Sequence, residues 1–334
     1  MVSHVDDDHI NGVIDLFEEQ LDANSDQRPL PYDIKRFWHN SFDDVIGNDD
    51  PALLRALAEL QVDCADDERV RSQSAVIASV GQGRTLQKDA DELGIRGPNV
   101  PFGGLVLAHG PDDEPIDLGH GMTFRVLGPS AERVEAYQDR WDQELPKILR
   151  QEKSAAEVAS MSDWSPFNLA SIVVLAELGE RGDKRSMLLT GDARGDDVLE
   201  GIERANLVAA GQRFHVDLLK LPHHGSDNNV DEDFFRRVTA DHYVVSGDGR
   251  HHNPDPATLD MIAAARGDEP YTIHFTFDRR AHLDTTSETS RANLVTVDEW
   301  ISRRPPNCSV VYRAGTDAKS IHVDLGEPLD RDGP

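Results

Sequence analysis

Between Ile10 and Leu21 the apolar residues Ile10, Val13, Ile14, Phe17 and Leu21 recur at helical spacing, with Asp15, Glu18 and Glu19 on the opposite side. This predicts an amphipathic helix that begins directly after a polar, His- and Asp-rich start. From 22 to 163 the chain is polar and irregular. Helices are expected there near Pro51–Leu60 and Arg69–Leu93, and short strands near Leu105–His109 and Met122–Leu127. From Ser171 a regular alternation sets in. Apolar runs at Ile172–Leu175, Met187–Leu189, Val216–Leu221, Tyr243–Val245, Thr272–Phe275 and Val310–Tyr312 are separated by helical stretches at Asp196–Val208, Asp231–Val238, Pro256–Ala265 and Leu294–Arg303. Strands interleaved with helices predict a layered α/β architecture. The expected organisation is one domain over 1–325, elaborated between 22 and 163, with a frayed tail over 326–334.

Composition narrows the function classes. Of 334 residues, 62 are Asp or Glu and 34 are Lys or Arg, a formal charge of −28. Such a field repels polyanions, so nonspecific nucleic-acid binding by counterion release is disfavoured. Bound metal ions and a local basic patch can still overcome the mean field at one site. Cys64 and Cys308 are far apart and without CxxC spacing, which argues against a disulfide framework or thiolate zinc site and fits a reducing cytoplasm. No apolar run is long enough for a spanning helix, and the first residues lack the basic-then-apolar order of a signal peptide.

Three segments carry chemistry. The first is His4-Val5-Asp6-Asp7-Asp8-His9, an H-x-D-x-D-H cluster. A tight His/Asp-rich turn can converge several N and O ligands on one divalent ion, and adjacent residues can reach a second ion about 3.5–4 Å away. A solvated acidic terminus with two incidental histidines is the bland alternative. The second is Leu188-Leu189-Thr190-Gly191-Asp192, an apolar strand whose end delivers a carboxylate. The third is Val216–Pro222 running into His223-His224-Gly225-Ser226, another apolar strand ending in ligand-type residues. Gly81-Gln82-Gly83 lacks the context of a phosphate loop, and no Gly-x-Ser-x-Gly elbow is present. His39, His109 and His120 could each supply a further ligand, but isolated histidines of this kind are more often structural.

Taken in order, and with Asn168-Leu169-Ala170-Ser171-Ile172-Val173 ahead of the Gly-Asp, these segments resemble the metallo-β-lactamase superfamily. The likeness is to the hydrolase domain of ComEC-type DNA-uptake proteins and their free-standing relatives. It implies a four-layer αββα sandwich whose strand ends hold one or two divalent metal ions, zinc or manganese. His4, Asp6, Asp8, His9, Asp192 and His223 become the expected metal ligands, with Asp192 bridging and His224 next in line. A later ligand or proton donor is expected in Ser246–Pro254, where His251 and His252 are equal candidates. Ser226 and Asn168 are expected at the substrate. Asp6 stands where the superfamily commonly has His, and a carboxylate there hardens the site, so manganese or magnesium rivals zinc. The superfamily also places several strands before the metal loop, which here starts at residue 4. The expectation is therefore a sandwich lacking its first N-terminal strands, with Met1 an internal methionine or the start of a truncated product.

The resemblance implies a hydrolase that uses a metal-bound hydroxide on a phosphodiester, of a nucleic acid or a nucleotide. Asp8 or Asp192 would orient the hydroxide, and His224, His251 or His252 would protonate the leaving oxygen. Two alternatives stand beside it. One is a non-catalytic binding or regulatory module that keeps ligands without a competent site. The other is a lactonase or similar small-molecule ester hydrolase on the same scaffold.

Overall fold

A computed structural model of the chain describes residues 1–4, 7–41, 45, 82–95, 99–136, 138, 139, 143, 170–179, 184–249, 253–278, 288–313 and 320–326. The chain divides into two compact units, one of Met1–Ala108 with Pro129–Ile172 and one of His109–Gly128 with Val173–Pro334.

In the first unit the expected N-terminal helix is α1 (Asp7–Ser25), which buries Ile10, Ile14 and Phe17 as the apolar spacing requires. A second helix, α2, covers 82–92 and is tied to α1 by Gln82 donating to Asn11 Oδ1 at 2.8 Å, and a short helical segment, α3, covers 131–136. Two buried asparagines stand in for sheet pairing between 37–40 and 99–106. Asn99 Oδ1 accepts from His39 N and its Nδ2 donates to His39 O and Gly104 O, while Asn40 exchanges hydrogen bonds with both polar atoms of the Val106 backbone. Each amide satisfies main-chain groups that burial would otherwise make costly. His39 is buried here and stacked on Phe37 at 5.8 Å, a packing role.

The second unit holds an eight-stranded sheet whose spatial order follows the chain: β1 (Ile116–Gly119), β2 (Met122–Gly128), β3 (Val173–Leu178), β4 (Arg185–Leu189), β5 (Phe214–Lys220), β6 (Val238–Val245), β7 (Tyr271–Phe275) and β8 (Cys308–Tyr312). β1 to β4 pair antiparallel and β4 to β8 pair parallel. The parallel half is built through α4 (Gly195–Arg204), α5 (Glu232–Arg237), α6 (Pro256–Arg266) and α7 (Glu288–Ser302). Right-handed crossovers that always step the same way leave their helices on one face of the sheet. The core agrees: Val198 and Ile202, Phe234 and Phe235, Leu259 and Ile262, and Leu294 and Trp300 share one cluster with Leu188, Val216, Leu219, Tyr243, Ile273 and Phe275. Gly201 permits the close seat of α4 on β2, because a Cβ there would collide with the Leu127 carbonyl.

The layered α/β class expected from the alternation is thus present. Two local expectations change. Leu105–His109 forms no strand; it lies between Gly103-Gly104 and Gly110-Pro111, and its pairing is limited to isolated bonds such as His109 N to Val126 O at 2.9 Å. Conversely, Ile116–Gly119 is a strand that its short sequence conceals. It pairs with β2 through a hairpin whose turn residues, His120 and Gly121, both have positive φ. The predicted helix near Pro51–Leu60 and residues 69–81 of the next lie outside the described residues.

His242 on β6 and His274 on β7 are buried and share a hydrogen bond, Nδ1 to Nε2, of 3.0 Å. Burial pushes His274 down to about 4, with the neighbouring His242 adding to the effect. Burial likewise lowers His242, against the opposing pull of Asp241 and Asp217. Both are therefore neutral in the fold and bind protons more readily when unfolded. Their contribution is fully present above the ordinary histidine value of about 6.5 and is lost as pH falls from there toward 4, at no more than about 1.4 kcal/mol per pH unit for each proton. Thermal denaturation between pH 7 and 4 should show a shallower acid decline for His274→Asn than for the wild-type chain. Parallel declines would remove His274 from the account.

Candidate metal centre

Besides the His242–His274 pair, each unit brings together histidines singled out in the sequence. In the first unit, the bend before α1 brings Ser3, His4 and His9 together. Ser3 Oγ lies 2.9 Å from His9 Nδ1 and 3.1 Å from His4 Nδ1, and Ser171 Oγ lies 3.3 Å from His4 Nδ1. The bend is fastened by Val2 N donating to Trp38 O and Ile172 N donating to Ser3 O. The two imidazole rings are 4.1 Å apart, and His4 is only 1% exposed. With both Nδ1 atoms engaged by hydroxyls, Nε2 is the nitrogen each ring can offer a cation. Asp8 places Oδ2 3.8 Å from His9 Nε2, its side chain 62% exposed.

In the second unit the donors come from the carboxyl ends of β4 and β5, where open α/β sheets present ligand sites. Asp192 follows β4, with its side chain 4% exposed. Lys220, the last residue of β5, donates to Gly191 O at 2.9 Å and sits 3.5 Å from Asp192 Oδ1. The next turn, Pro222–Gly225, holds His223 at φ 45° and His224 at φ 56°, followed by Gly225 at φ 92°. Two consecutive non-glycine residues in the left-handed region represent stored strain of the kind that clusters at functional sites. What maintains it is the surrounding backbone: His223 N donates to Gly191 O, Asn253 Nδ2 donates to His223 O, and Asp255 N donates to Gly225 O. Gly247 completes the enclosure, since a Cβ there would stand 2.6 Å from His224 O.

This turn aims both rings at one carboxylate oxygen. His223 Nε2 is 3.8 Å and His224 Nε2 3.5 Å from Asp192 Oδ2. The Nδ1 atoms are again taken, His223 by Asn229 Oδ1 at 2.7 Å and His224 by Ser246 Oγ at 2.8 Å. A divalent ion with ligands at about 2.0–2.2 Å sets neighbouring tetrahedral donors about 3.3–3.6 Å apart. Each imidazole nitrogen stands near that distance from Asp192 Oδ2, while the two rings, with centroids 6.2 Å apart, would have to draw together to share one ion; the mixed N/O donor chemistry is of the kind that zinc or manganese takes.

Among the residues singled out in the sequence, His4, Asp8 and His9 fall in the first cluster, and Asp192, His223 and His224 in the second. Asp6, Asn168, His251 and His252 lie outside the described residues. Ser226 is 4% exposed, with its hydroxyl accepting from Asn228 of the same turn, so it offers little surface to a substrate. Sequence reasoning did not single out Ser3, Asn229 or Ser246. Each is a small polar residue whose role is visible only once its histidine is placed.

No family model matches the chain, and no solved structure matches it. Among curated proteins it is similar to microtubule-associated protein 1A of Mus musculus, 46% identical over 55 residues, and to the same protein of Rattus norvegicus, 46% over 54 residues. The human protein is also 46% identical over 55 residues. Each match covers 16% of this chain and 2% of the relative, too little to carry its family or activity across.

The strain at His224 is directly measurable. A β-carbon in the left-handed region costs roughly 1–2 kcal/mol, partly offset by the backbone entropy glycine loses on folding. Urea denaturation should therefore find His224→Gly more stable than His224→Ala by about 0.5–1 kcal/mol; equal stabilities would mean that the turn relaxes.

Proposed function

We propose that this chain is a metal-dependent hydrolase of the metallo-β-lactamase type, acting on a phosphodiester, with the αββα sandwich and ComEC-type likeness that its motifs suggest. The observation that carries the reading is the convergence of His223 Nε2 and His224 Nε2 on the buried carboxylate of Asp192, held by a strained turn. The ligand assignment follows the motifs: His4, Asp6, Asp8 and His9 in the N-terminal loop, Asp192 and His223 at the strand ends. The hard, mixed N/O set suits zinc or manganese.

A divalent ion bound there supplies Lewis acidity, lowering the pKa of water toward about 7 so that a hydroxide nucleophile exists at neutral pH. The protein's own residues do the rest. Asp192 Oδ2 accepts a proton or a hydrogen bond from the attacking water and orients it. Lys220 Nζ, 3.5 Å from the other carboxylate oxygen, holds Asp192 in place. The leaving oxygen takes its proton from one of His251, His252 or, where its Nε2 is not given to the ion, His224. The formal charge of −28 favours a short nucleotide-like phosphodiester over a long duplex, whose repulsion grows with length. No described helix is long and apolar enough to cross a membrane. Cys64 and Cys308, far apart in the sequence, suit a reducing, cytoplasmic setting.

Elemental analysis of the purified chain is expected to find one or two zinc or manganese ions per molecule. Asp192→Ala should lower that number and reduce hydrolysis of a dinucleotide or bis(p-nitrophenyl) phosphate by about 10³-fold or more, equivalent to about 4 kcal/mol of transition-state stabilisation. A folded chain that binds no metal and hydrolyses neither compound would point instead to a binding module. Hydrolysis of a lactone in place of the phosphodiester would move the substrate class and leave the metal site standing.

A further inference from the structure

Asn229, four residues after the turn begins to close, makes two hydrogen bonds of opposite sense. Its Nδ2 donates to the main-chain carbonyl of Asp192 at 3.3 Å, and its Oδ1 faces His223 Nδ1 at 2.7 Å. Its own carbonyl accepts from Gly195 N at 2.7 Å, so the residue is anchored to the start of α4. The side-chain orientation is fixed by elimination. A peptide carbonyl can only accept, so the amide NH₂ must face Asp192 O, which leaves the amide oxygen toward His223. That oxygen can only accept as well, so His223 Nδ1 must carry the proton. In the neutral ring Nε2 then holds a lone pair, aimed at Asp192 Oδ2 3.8 Å away. Two acceptors facing each other at this distance are reconciled by a positive centre between them, a proton on Nε2 or a bound cation.

From this we propose that Asn229 is a positioning residue: by holding His223 in the Nδ1–H tautomer it prepares Nε2 to ligate a divalent cation. The inference rests on the metal-centre reading above, but the tautomer is a property of the metal-free chain and can be measured on its own. Asn229 also joins the two donors through one side chain, since it holds the His223 ring with one atom and the Asp192 backbone with another. An amide serves here where a serine hydroxyl, as at Ser246 beside His224, would accept or donate equally and fix no tautomer.

The test uses the full chain, ¹⁵N-labelled at histidine, freed of metal and held at about pH 8, with His223 assigned by the loss of its signals in His223→Gln. Long-range ¹H–¹⁵N correlation should show His223 with a pyrrole-like Nδ1 and a pyridine-like Nε2. In Asn229→Leu the ring should shift to the Nε2–H tautomer or a mixture, and zinc affinity, titrated against a chromogenic chelator, should fall 10–100-fold. Asn229→Asp, which can only accept, should restore the wild-type tautomer and bring zinc affinity back to within about threefold of wild type, an outcome that loss of packing would not produce. An Nε2–H tautomer in the wild-type chain, or an unchanged tautomer in Asn229→Leu, overturns the proposal. If the tautomer behaves as stated while zinc fails to bind even the wild-type chain, Asn229 keeps its orienting role and the metal-centre reading fails instead.

Discussion

The Gly191 carbonyl accepts hydrogen bonds from Lys220 Nζ at 2.9 Å and from His223 N at 3.2 Å, and through this one oxygen the ends of β4 and β5 are locked together. Thr190 adds a parallel tie, donating to Lys220 O at 2.8 Å. Because β4 and β5 run parallel, both strand ends deliver their next residues to the same edge of the sheet. Asp192 and the His223-His224 turn meet there as a consequence of topology, and the Gly191 carbonyl fixes how closely they approach.

The same lock manages an unfavourable burial. The Asp192 side chain is 4% exposed, and removing an ionised carboxylate from water costs several kcal/mol. Lys220 at 3.5 Å returns about 5 kcal/mol of attraction at an effective dielectric of about 20, enough to offset that cost without leaving a surplus. The strained backbone at His223 and His224 is a further cost, and contacts to Gly191, Ser226, Asn253 and Asp255 sustain it. A carboxylate kept buried and two rings kept strained form the kind of preorganised donor arrangement that the proposed metal centre requires.

Much of this was legible in the sequence wherever the signal was local. The helical spacing of Ile10, Ile14 and Phe17 marks α1, and the apolar runs after Ser171 mark β3 to β8, because each buries apolar side chains within its own unit. Gly-Asp and His-His at the ends of two such runs mark the site in the second unit. The strand Ile116–Gly119 escaped because four residues, Ile-Asp-Leu-Gly, are too short a run to establish a period of their own and depend on β2 for pairing. Leu105–His109 misled for the converse reason: its apolar residues are packed, as at Val106, without a neighbouring strand along their length. Ser3, Asn229 and Ser246 were silent because their function is to satisfy the far nitrogen of a histidine elsewhere in the chain. No spacing rule encodes such a partnership.

The central claim is that imidazole and carboxylate groups of this chain bind a divalent ion. X-ray absorption at the zinc edge, on the chain loaded with one equivalent of zinc, tests it most directly. The account predicts a shell of nitrogen and oxygen at about 2.0–2.1 Å with the multiple-scattering signature of at least two imidazoles. A sulfur shell at about 2.3 Å, or water oxygens with no imidazole scattering, would contradict it.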